Sequence, residues 1–129
     1  MCNDKRMPGI VPKCEPALNK GIFISVEGGD GSGKSTQLAN IKDYLEARGV
    51  DALFIREPGG TSIGEKIRDI LLDPANAEIC AMTEAMLYAA SRAQIVSEVI
   101  KPALSEGKVV VCDRFVDSSI AYQAYGRQM

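Results

Sequence analysis

Residues Gly28 to Ser35, with the sequence GGDGSGKS, fit the pattern G-x-x-x-x-G-K-[S/T]. The pattern lies between a predicted strand and a predicted helix, which is the context that this motif requires. Its glycines let successive backbone N–H groups point into one concavity, and the helix N-terminus adds partial positive charge. The sequence therefore predicts a phosphate-binding loop in which Lys34 reaches the β- and γ-phosphates of a nucleotide and Ser35 offers its hydroxyl to magnesium.

Charged residues also follow the second and third predicted strands. The second strand leads into the run Arg56 to Gly60 (REPGG), and the third leads into Asp113 and Arg114. Ligands of open α/β sheets bind beyond the carboxyl ends of the strands, so the three strand ends predict one site. Two arginines beside a phosphate-binding loop indicate a second anionic substrate, such as a nucleoside monophosphate whose phosphate accepts the transferred group. The alternative for Arg56 alone is a surface ion pair.

One face of a long predicted helix carries side chains that suit a nucleobase. Glu84, Tyr88 and Arg92 recur every four residues and therefore share a face. An aromatic ring and a guanidinium on one face are able to stack on a base and donate hydrogen bonds to it. The alternative is that Tyr88 belongs to the core and Arg92 is a solvated charge.

Short β-rich runs alternate with amphipathic stretches, which is typical of βα units around a parallel sheet. We predict strands at 21–26, 51–56 and 108–112, and helices at 35–48, 83–100, from 62 and from 118. Gly49 suits the C-cap of the first helix, and Ser62 with Glu65 matches a capping box at the start of the second. Pro102 is expected to bend or break the long helix.

Helical spacing also predicts which faces are apolar. The second helix has an apolar face that we expect to be buried, formed by Ile63, Ile67, Ile70 and Leu71. The long helix has an apolar stripe that serves either the core or a dimer face, formed by Met82, Met86, Ala89, Ala93, Val96 and Ile100.

Composition excludes several classes of protein. The net charge of −2 gives no clustered basic surface, so we expect no polymeric nucleic acid as a partner. The four cysteines form no CxxC pair and the chain has no histidine, which argues against a zinc site and against histidine as a general base. No apolar run is long enough to span a bilayer, so we expect no membrane partner and a cytoplasmic location.

The chain reads as one domain preceded by a tail. Residues 1–19 contain three prolines without periodicity and are predicted to be a disordered N-terminal tail. Residues 20–129 are predicted to be one kinase domain of the α/β class.

Four motifs resemble those of thymidylate kinase in order and spacing. They are Val26 to Thr36 (VEGGDGSGKST), Arg56 to Thr61 (REPGGT), Ser91 to Gln94 (SRAQ), and Asp113 to Phe115 (DRF) followed by Ser118 to Gln123 (SSIAYQ). The resemblance covers the chain from about Gly21 to its last residue. It implies a P-loop NTPase fold of the nucleoside monophosphate kinase type, with helices on a parallel sheet, and an enzyme that phosphorylates thymidine monophosphate with ATP and Mg²⁺.

The resemblance also implies roles for individual residues. ATP would be held by Gly28, Gly29, Asp30, Gly31, Ser32, Gly33, Lys34, Ser35 and Thr36. The acceptor phosphate would be bound by Arg56 and Arg114, and the base and sugar would be contacted by Asp30, Tyr88, Arg92, Ser119 and Gln123. Metal contacts would come from Asp30, Ser35 and Asp113, and the catalytic set would be Asp30, Lys34, Asp113 and Arg114.

Gly31 and the REPGG run resemble the bacterial type of the family, in which a lid supplies the catalytic arginine that the eukaryotic type carries in this loop. Family members continue into a lid and further strands, whereas this chain stops after a third predicted strand. We therefore expect an incomplete kinase domain with an apolar strand left unpaired, and little activity from this chain alone. The family also implies a homodimer of the full-length protein.

Two other functions remain open from the sequence. A deoxynucleoside kinase also uses a P-loop and an Asp-Arg pair, but its acceptor carries no phosphate for Arg56 and Arg114. A non-catalytic nucleotide-binding fragment is the second alternative.

Overall fold

The computed structural model describes residues 20–116. The predicted tail at 1–19, the helix predicted from residue 118, and the predicted ligand contacts Ser119 and Gln123 lie outside this range.

Strands and helices alternate along the described residues, as the sequence predicts. In chain order they are β1 (Ile22–Val26), α1 (Lys34–Glu46), β2 (Ala52–Arg56), α2 (Ser62–Leu72), a short 3₁₀ turn (Pro74–Asn76), α3 (Ala81–Ile95), a π-helical turn (Val96–Ile100), α4 (Lys101–Ser105) and β3 (Val109–Asp113). Gly49 adopts a φ of 67° just beyond α1, which ends at Glu46 and not at Arg48 as predicted.

The three strands form one parallel sheet in the order β1-β3-β2. Both flanking strands pair with β3, so the last residues of all three strands lie level: Asp113 is opposite Val26 on one side and Arg56 on the other. Because β3 is central, Val110, Val111 and Cys112 are fully buried. Among the described residues β1 has no second neighbour, and Ile22 and Ile24 are 42% and 37% exposed.

The core lies where the helices from α3 to α4 pack on the sheet. Ile95, Ile100, Ala103 and Val110 form a buried cluster. Half-buried apolar side chains surround it, among them Phe23 from β1, Leu53 from β2 and Phe115 just after β3. This arrangement fixes α3 against the ends of β2 and β3.

The cap of α2 differs from the prediction. Thr61, in extended conformation, is the N-cap residue, and its hydroxyl accepts a hydrogen bond from Gly64 N at 2.9 Å. Ser62 is already the first helical residue, so the predicted capping box of Ser62 and Glu65 is wrong. Glu65 instead accepts a hydrogen bond from the N–H of Gly60, one residue before the cap.

The long helix is irregular in its last turns. The predicted helix from Thr83 to Ile100 is present, but helical residues continue through Pro102 to Ser105, and α3 changes at Val96 into a π-helical turn in which Lys101 N donates to Val96 O. Pro102 has no N–H to donate and lies in the first turn of α4, where such a donor is not needed. The wider turn lets the helix continue past the proline.

Two apolar side chains of α2 that were predicted to be buried are exposed, and so are several side chains of the apolar stripe on α3, for which the core and a dimer face were both left open. Ile63 and Ile70 of α2 are 50% and 44% exposed, and Met82 and Met86 of α3 are 57% and 63% exposed. Ala89 and Ala93 are also exposed, whereas Val96 is half-buried and Ile100 is buried. We call Met82, Met86, Ala89 and Ala93 the α3 stripe. Within residues 20–116 no helix is long and apolar enough to cross a membrane.

The observed cap predicts unequal effects for two neighbouring hydroxyl residues. Thr61→Ala removes the acceptor of the Gly64 N–H and should lower the free energy of unfolding by about 1 kcal/mol. Ser62→Ala replaces a helical residue with one of higher helix propensity and should leave it unchanged or slightly higher. Urea denaturation of the two variants tests this, and an equal loss in both would contradict the assignment of Thr61 as the cap.

Candidate functional site

The phosphate-binding loop joins β1 to α1. Gly28, Gly31 and Gly33 have φ values of 155°, 75° and 88°, in the region that favours glycine. A Cβ atom at Gly31 or Gly33 would meet no other atom within 4 Å, so the space above the loop is open. Lys34 and Ser35 begin α1 at the edge of this space. The structure thus has the loop conformation that the motif predicts.

The end of β3 carries Asp113 and Arg114 beside this loop. Lys34 Nζ lies 3.9 Å from Asp113 Oδ1, an oxygen that is buried and accepts no hydrogen bond from the described residues. Arg114 has a φ of 69°, which is uncommon for a residue other than glycine, and its Nη2 donates to Asp30 Oδ1 at 2.9 Å. The predicted residues Asp30, Lys34, Asp113 and Arg114 therefore lie together.

The end of β2 places Arg56 next to Glu65 of α2. Arg56 Nη2 donates to Glu65 Oε2 at 3.0 Å, and Gly60 N donates to Glu65 Oε1 at 2.7 Å. The pKa of Glu65 is lowered, mainly by the hydrogen bond from the Gly60 N–H and next by the contact with Arg56. Arg56 is thus in an ion pair, which was the alternative considered for it, but both partners are well exposed and the pair is weak enough to rearrange.

Arg92 of α3 connects the three strand ends. Its Nε donates to Glu57 Oε2 at 2.8 Å and its Nη2 donates to the carbonyl oxygen of Phe115 at 3.2 Å. Phe115 N in turn donates to Glu27 Oε1 at 2.8 Å, directly after β1. The Arg92 guanidinium also lies 5.1 Å from the centre of the Phe115 ring.

Further contacts fix the turn after β2 against α3. Gly59 N donates to Ser91 Oγ at 3.1 Å, and Ser91 is fully buried. Gly60 has a φ of 80°, which favours glycine, and a Cβ there would collide with Ile95 Cδ1. Ser91, Arg92 and Ile95 thus hold the turn from one side of α3.

Burial changes the acidity of two groups in the site. Burial raises the pKa of Glu57, although the charge of Arg92 opposes the rise. Burial also raises the pKa of Tyr88, and the nearby Glu84 carboxylate adds to the rise. Tyr88 is half-buried on α3, one turn before Arg92, so the ring and the guanidinium share a face as predicted.

Three residues that organise the site were not predicted from the sequence to belong to it: Glu27, Glu57 and Glu65. Glu57 stands inside the REPGG run, and its position directly after a predicted strand was the available signal. Glu65 was assigned to a helix cap. The oxygen donors Ser35, Asp30 and Asp113 are of the kind that Mg²⁺ prefers, and Asp113 Oδ1, which accepts no hydrogen bond from the described residues, fits such a role.

Comparison with known proteins identifies relatives. The sequence model of the family described as thymidylate kinase matches residues 26–129. Thymidylate kinase of Pelotomaculum thermopropionicum is 59% identical over 108 residues, which are 84% of this chain and 50% of the relative. That of Symbiobacterium thermophilum is 61% identical over 102 residues, 79% of this chain and 48% of the relative.

A crystal structure of thymidylate kinase from Ehrlichia chaffeensis is similar in fold. Its TM-score is 0.78 at 40% sequence identity, and the match covers 85% of this chain and 62% of that one. The α/β fold of P-loop type that the sequence predicts is thereby confirmed. The chain spans about half the length of the curated relatives it matches.

The raised pKa of Glu57 predicts a pH-dependent stability difference. At pH values between the ordinary pKa of 4.5 and the higher pKa of Glu57 in the folded protein, the folded chain keeps a proton on Glu57 that the unfolded chain has lost. Stability from this group therefore falls as pH rises through that window. Relative to Glu57→Gln, the wild-type chain should lose free energy of unfolding as pH rises from 4.5, as measured by urea denaturation at a series of pH values.

Glu65→Gln is the matched control, because the pKa of Glu65 is lowered. Glu65 contributes to stability above pH 4.5, and this contribution is lost as the pH falls through the pKa that Glu65 has in the folded protein. The dependence of stability on pH therefore has the opposite sign from that of Glu57. It is also small, because Glu65 is exposed. A wild-type chain that gains stability over Glu57→Gln as pH rises would contradict the assignment of burial as the dominant effect.

Proposed function

Because the chain belongs to the thymidylate kinase family, we propose that the full-length protein transfers the γ-phosphoryl group of ATP to thymidine monophosphate. The bond between the γ-phosphorus and the β–γ bridging oxygen breaks, and a bond to an acceptor phosphate oxygen forms, giving ADP and thymidine diphosphate for DNA precursor synthesis. The observation that carries this proposal is the level end of the three strands, which gathers a phosphate-binding loop, an aspartate and two arginines.

The ATP side of the proposal rests on the loop from Gly28 to Thr36. Its backbone N–H groups and the start of α1 would hold the phosphates, and Lys34 would leave Asp113 to approach the β- and γ-phosphates. Mg²⁺ would be held by Ser35 and Asp113 with Asp30 nearby, and when bound it neutralises charge on the phosphates. Phosphoryl transfer depends on positioning and charge neutralisation, so a site without histidine is suited to it.

The acceptor side rests on residues from β2, α3 and β3. Arg56 and Arg114 would bind the acceptor phosphate by exchanging their carboxylate partners, Glu65 and Asp30, for phosphate oxygens. Tyr88 would stack on thymine and Arg92 would donate to a thymine carbonyl, while Asp30 would lie near the sugar. Ser119 and Gln123 complete the proposed base contacts from outside the described residues.

We also propose that the full-length protein is a homodimer that uses the α3 stripe. Four apolar side chains at helical spacing are exposed on α3, although it is packed against the core on its other side. A patch of this kind is typical of a protein interface.

The other proposed partners are ATP and thymidine monophosphate, and we propose no polymeric nucleic acid or membrane as a partner. We also propose a cytoplasmic location, with which the free thiols of Cys80 and Cys112 are consistent.

Calorimetric titration with thymidine monophosphate tests the acceptor assignment. We expect saturable binding by the folded chain, with thymidine binding at least about tenfold more weakly because it lacks the charge-assisted contacts to Arg56 and Arg114. Arg56→Met should weaken binding of the monophosphate but not of thymidine. Equal affinity for the two ligands would favour a deoxynucleoside kinase, and circular dichroism confirms that each variant is folded.

The proposed dimer face predicts a selective effect of charge. Met86→Lys places a charge in the centre of the α3 stripe and should raise the dimer dissociation constant at least about tenfold, because a buried unpaired charge is costly. Tyr44→Lys, at an apolar position of similar exposure on α1, is the control. Sedimentation measures both, and an equal response of the two variants would contradict the assignment of the interface.

A further inference from the structure

The ion pair of Glu57 and Arg92 is the most buried charged contact described in the site. The Glu57 side chain is 4% exposed and the Arg92 side chain is 19% exposed. Glu57 Oε2 accepts from Arg92 Nε, while Glu57 Oε1 is buried and has no hydrogen-bond partner among the described residues. Burying a carboxylate with an oxygen that accepts no hydrogen bond is unfavourable, so we asked what the pair contributes to the site.

Geometry supplies one reason. A guanidinium is planar, and an acceptor on Nε together with an acceptor on a terminal nitrogen fixes both its position and its plane. Here the two acceptors come from different strand ends: Glu57 follows β2 and the Phe115 carbonyl follows β3. The plane of Arg92 is therefore set by the sheet and not by the flexible side chain of Arg92 itself.

We propose that Glu57 is a positioning residue that makes Arg92 selective for a pyrimidine with a carbonyl group at ring position 4. The inference rests on the proposed function, in which Arg92 faces the base. An N–H donor held in one orientation forms a hydrogen bond with a carbonyl oxygen. If an amino group takes the place of the carbonyl, two N–H groups face each other and neither finds an acceptor, so the amino form binds more weakly. A guanidinium that is free to turn avoids this repulsion and discriminates less.

The pair formed by Arg56 and Glu65 provides an internal comparison. It has the same chemistry, but the two side chains are 56% and 42% exposed. Its arginine is assigned to the phosphate, which all nucleoside monophosphates share. Weakening this pair should therefore affect every such ligand to the same degree.

The test compares thymidine monophosphate with 5-methyl-deoxycytidine monophosphate. The two ligands share the sugar, the phosphate and the ring methyl group, and they differ in the carbonyl or amino group at position 4. Calorimetry gives the ratio of their dissociation constants for the wild-type chain, Glu57→Gln and Glu65→Gln. We expect the ratio to fall about fivefold in Glu57→Gln, as a charge-assisted hydrogen bond becomes a neutral one, and to stay unchanged in Glu65→Gln.

The outcomes separate this inference from the proposed function. Equal weakening of both ligands by Glu57→Gln would mean a merely structural role and would overturn the inference. A double variant, Glu57→Gln with Arg92→Met, removes both charges so that no unpaired charge is buried. If it binds thymidine monophosphate as well as the wild type does, Arg92 does not contact the base and the inference fails, while the phosphate contacts of the proposed function stand. If the folded wild-type chain binds no thymidine monophosphate, the proposed acceptor site itself fails and the inference fails with it.

A second readout needs no ligand. The Nε–H resonance of Arg92 in a ¹⁵N spectrum reports the hydrogen bond to Glu57 directly. We expect this resonance to move and its exchange with water to accelerate in Glu57→Gln, and to be unchanged in Glu65→Gln. An Arg92 resonance that is the same in all three chains would overturn the inference.

Discussion

The pairing of β3 with both β1 and β2 is the constraint on which the site depends. Parallel strands have no turn between them to align their ends, so the register of the hydrogen bonds alone decides where each strand stops. Here that register puts Val26, Asp113 and Arg56 side by side. The residues that come next, Glu27, Arg114 and Glu57, therefore meet at one edge of the sheet, although they are far apart in sequence.

Because the strand ends meet at one edge, several carboxylates lie close together there. Two arginines and a lysine neutralise their negative charge. Each cation that we assign to a phosphate has a carboxylate partner in this structure: Lys34 has Asp113, Arg114 has Asp30 and Arg56 has Glu65. The two arginine pairs are exposed on at least one side, since Asp30 is 98% exposed and Arg56 is 56% exposed, whereas Lys34 and Asp113 are more buried at 12% and 35%. Exposed pairs contribute little to stability, so an anionic substrate replaces the carboxylates of the two arginine pairs at small cost. The paired cations keep their places near the strand ends until then.

Much of this was predictable from the sequence, and the errors share a physical cause. The loop around Lys34 and the strands carry their signal within a few neighbouring residues, so motif and periodicity were sufficient. Thr61 and Ser62 are both good N-cap residues, and the choice between them depends on the turn at Gly60, where φ is 80° and Ile95 lies close. Helical spacing predicted an apolar stripe at Met82 and Met86, but spacing alone does not show whether such a stripe faces the core or the surface. The roles of Glu57 and Glu65 depend on strand register and helix packing, which local sequence does not encode.

The contrast between the two arginine–glutamate pairs follows from what their proposed ligand groups are. A phosphate is a charged group whose Coulomb attraction for a cation acts in every orientation, and it offers several equivalent oxygens, so an exposed and mobile arginine is adequate. A base carbonyl is neutral, and its recognition depends on the direction of the donor. A directional donor must be held by acceptors that do not move, and burial between two strand ends provides them. The cost of burying Glu57, including an oxygen without a partner, is thus the cost of fixing the plane of Arg92.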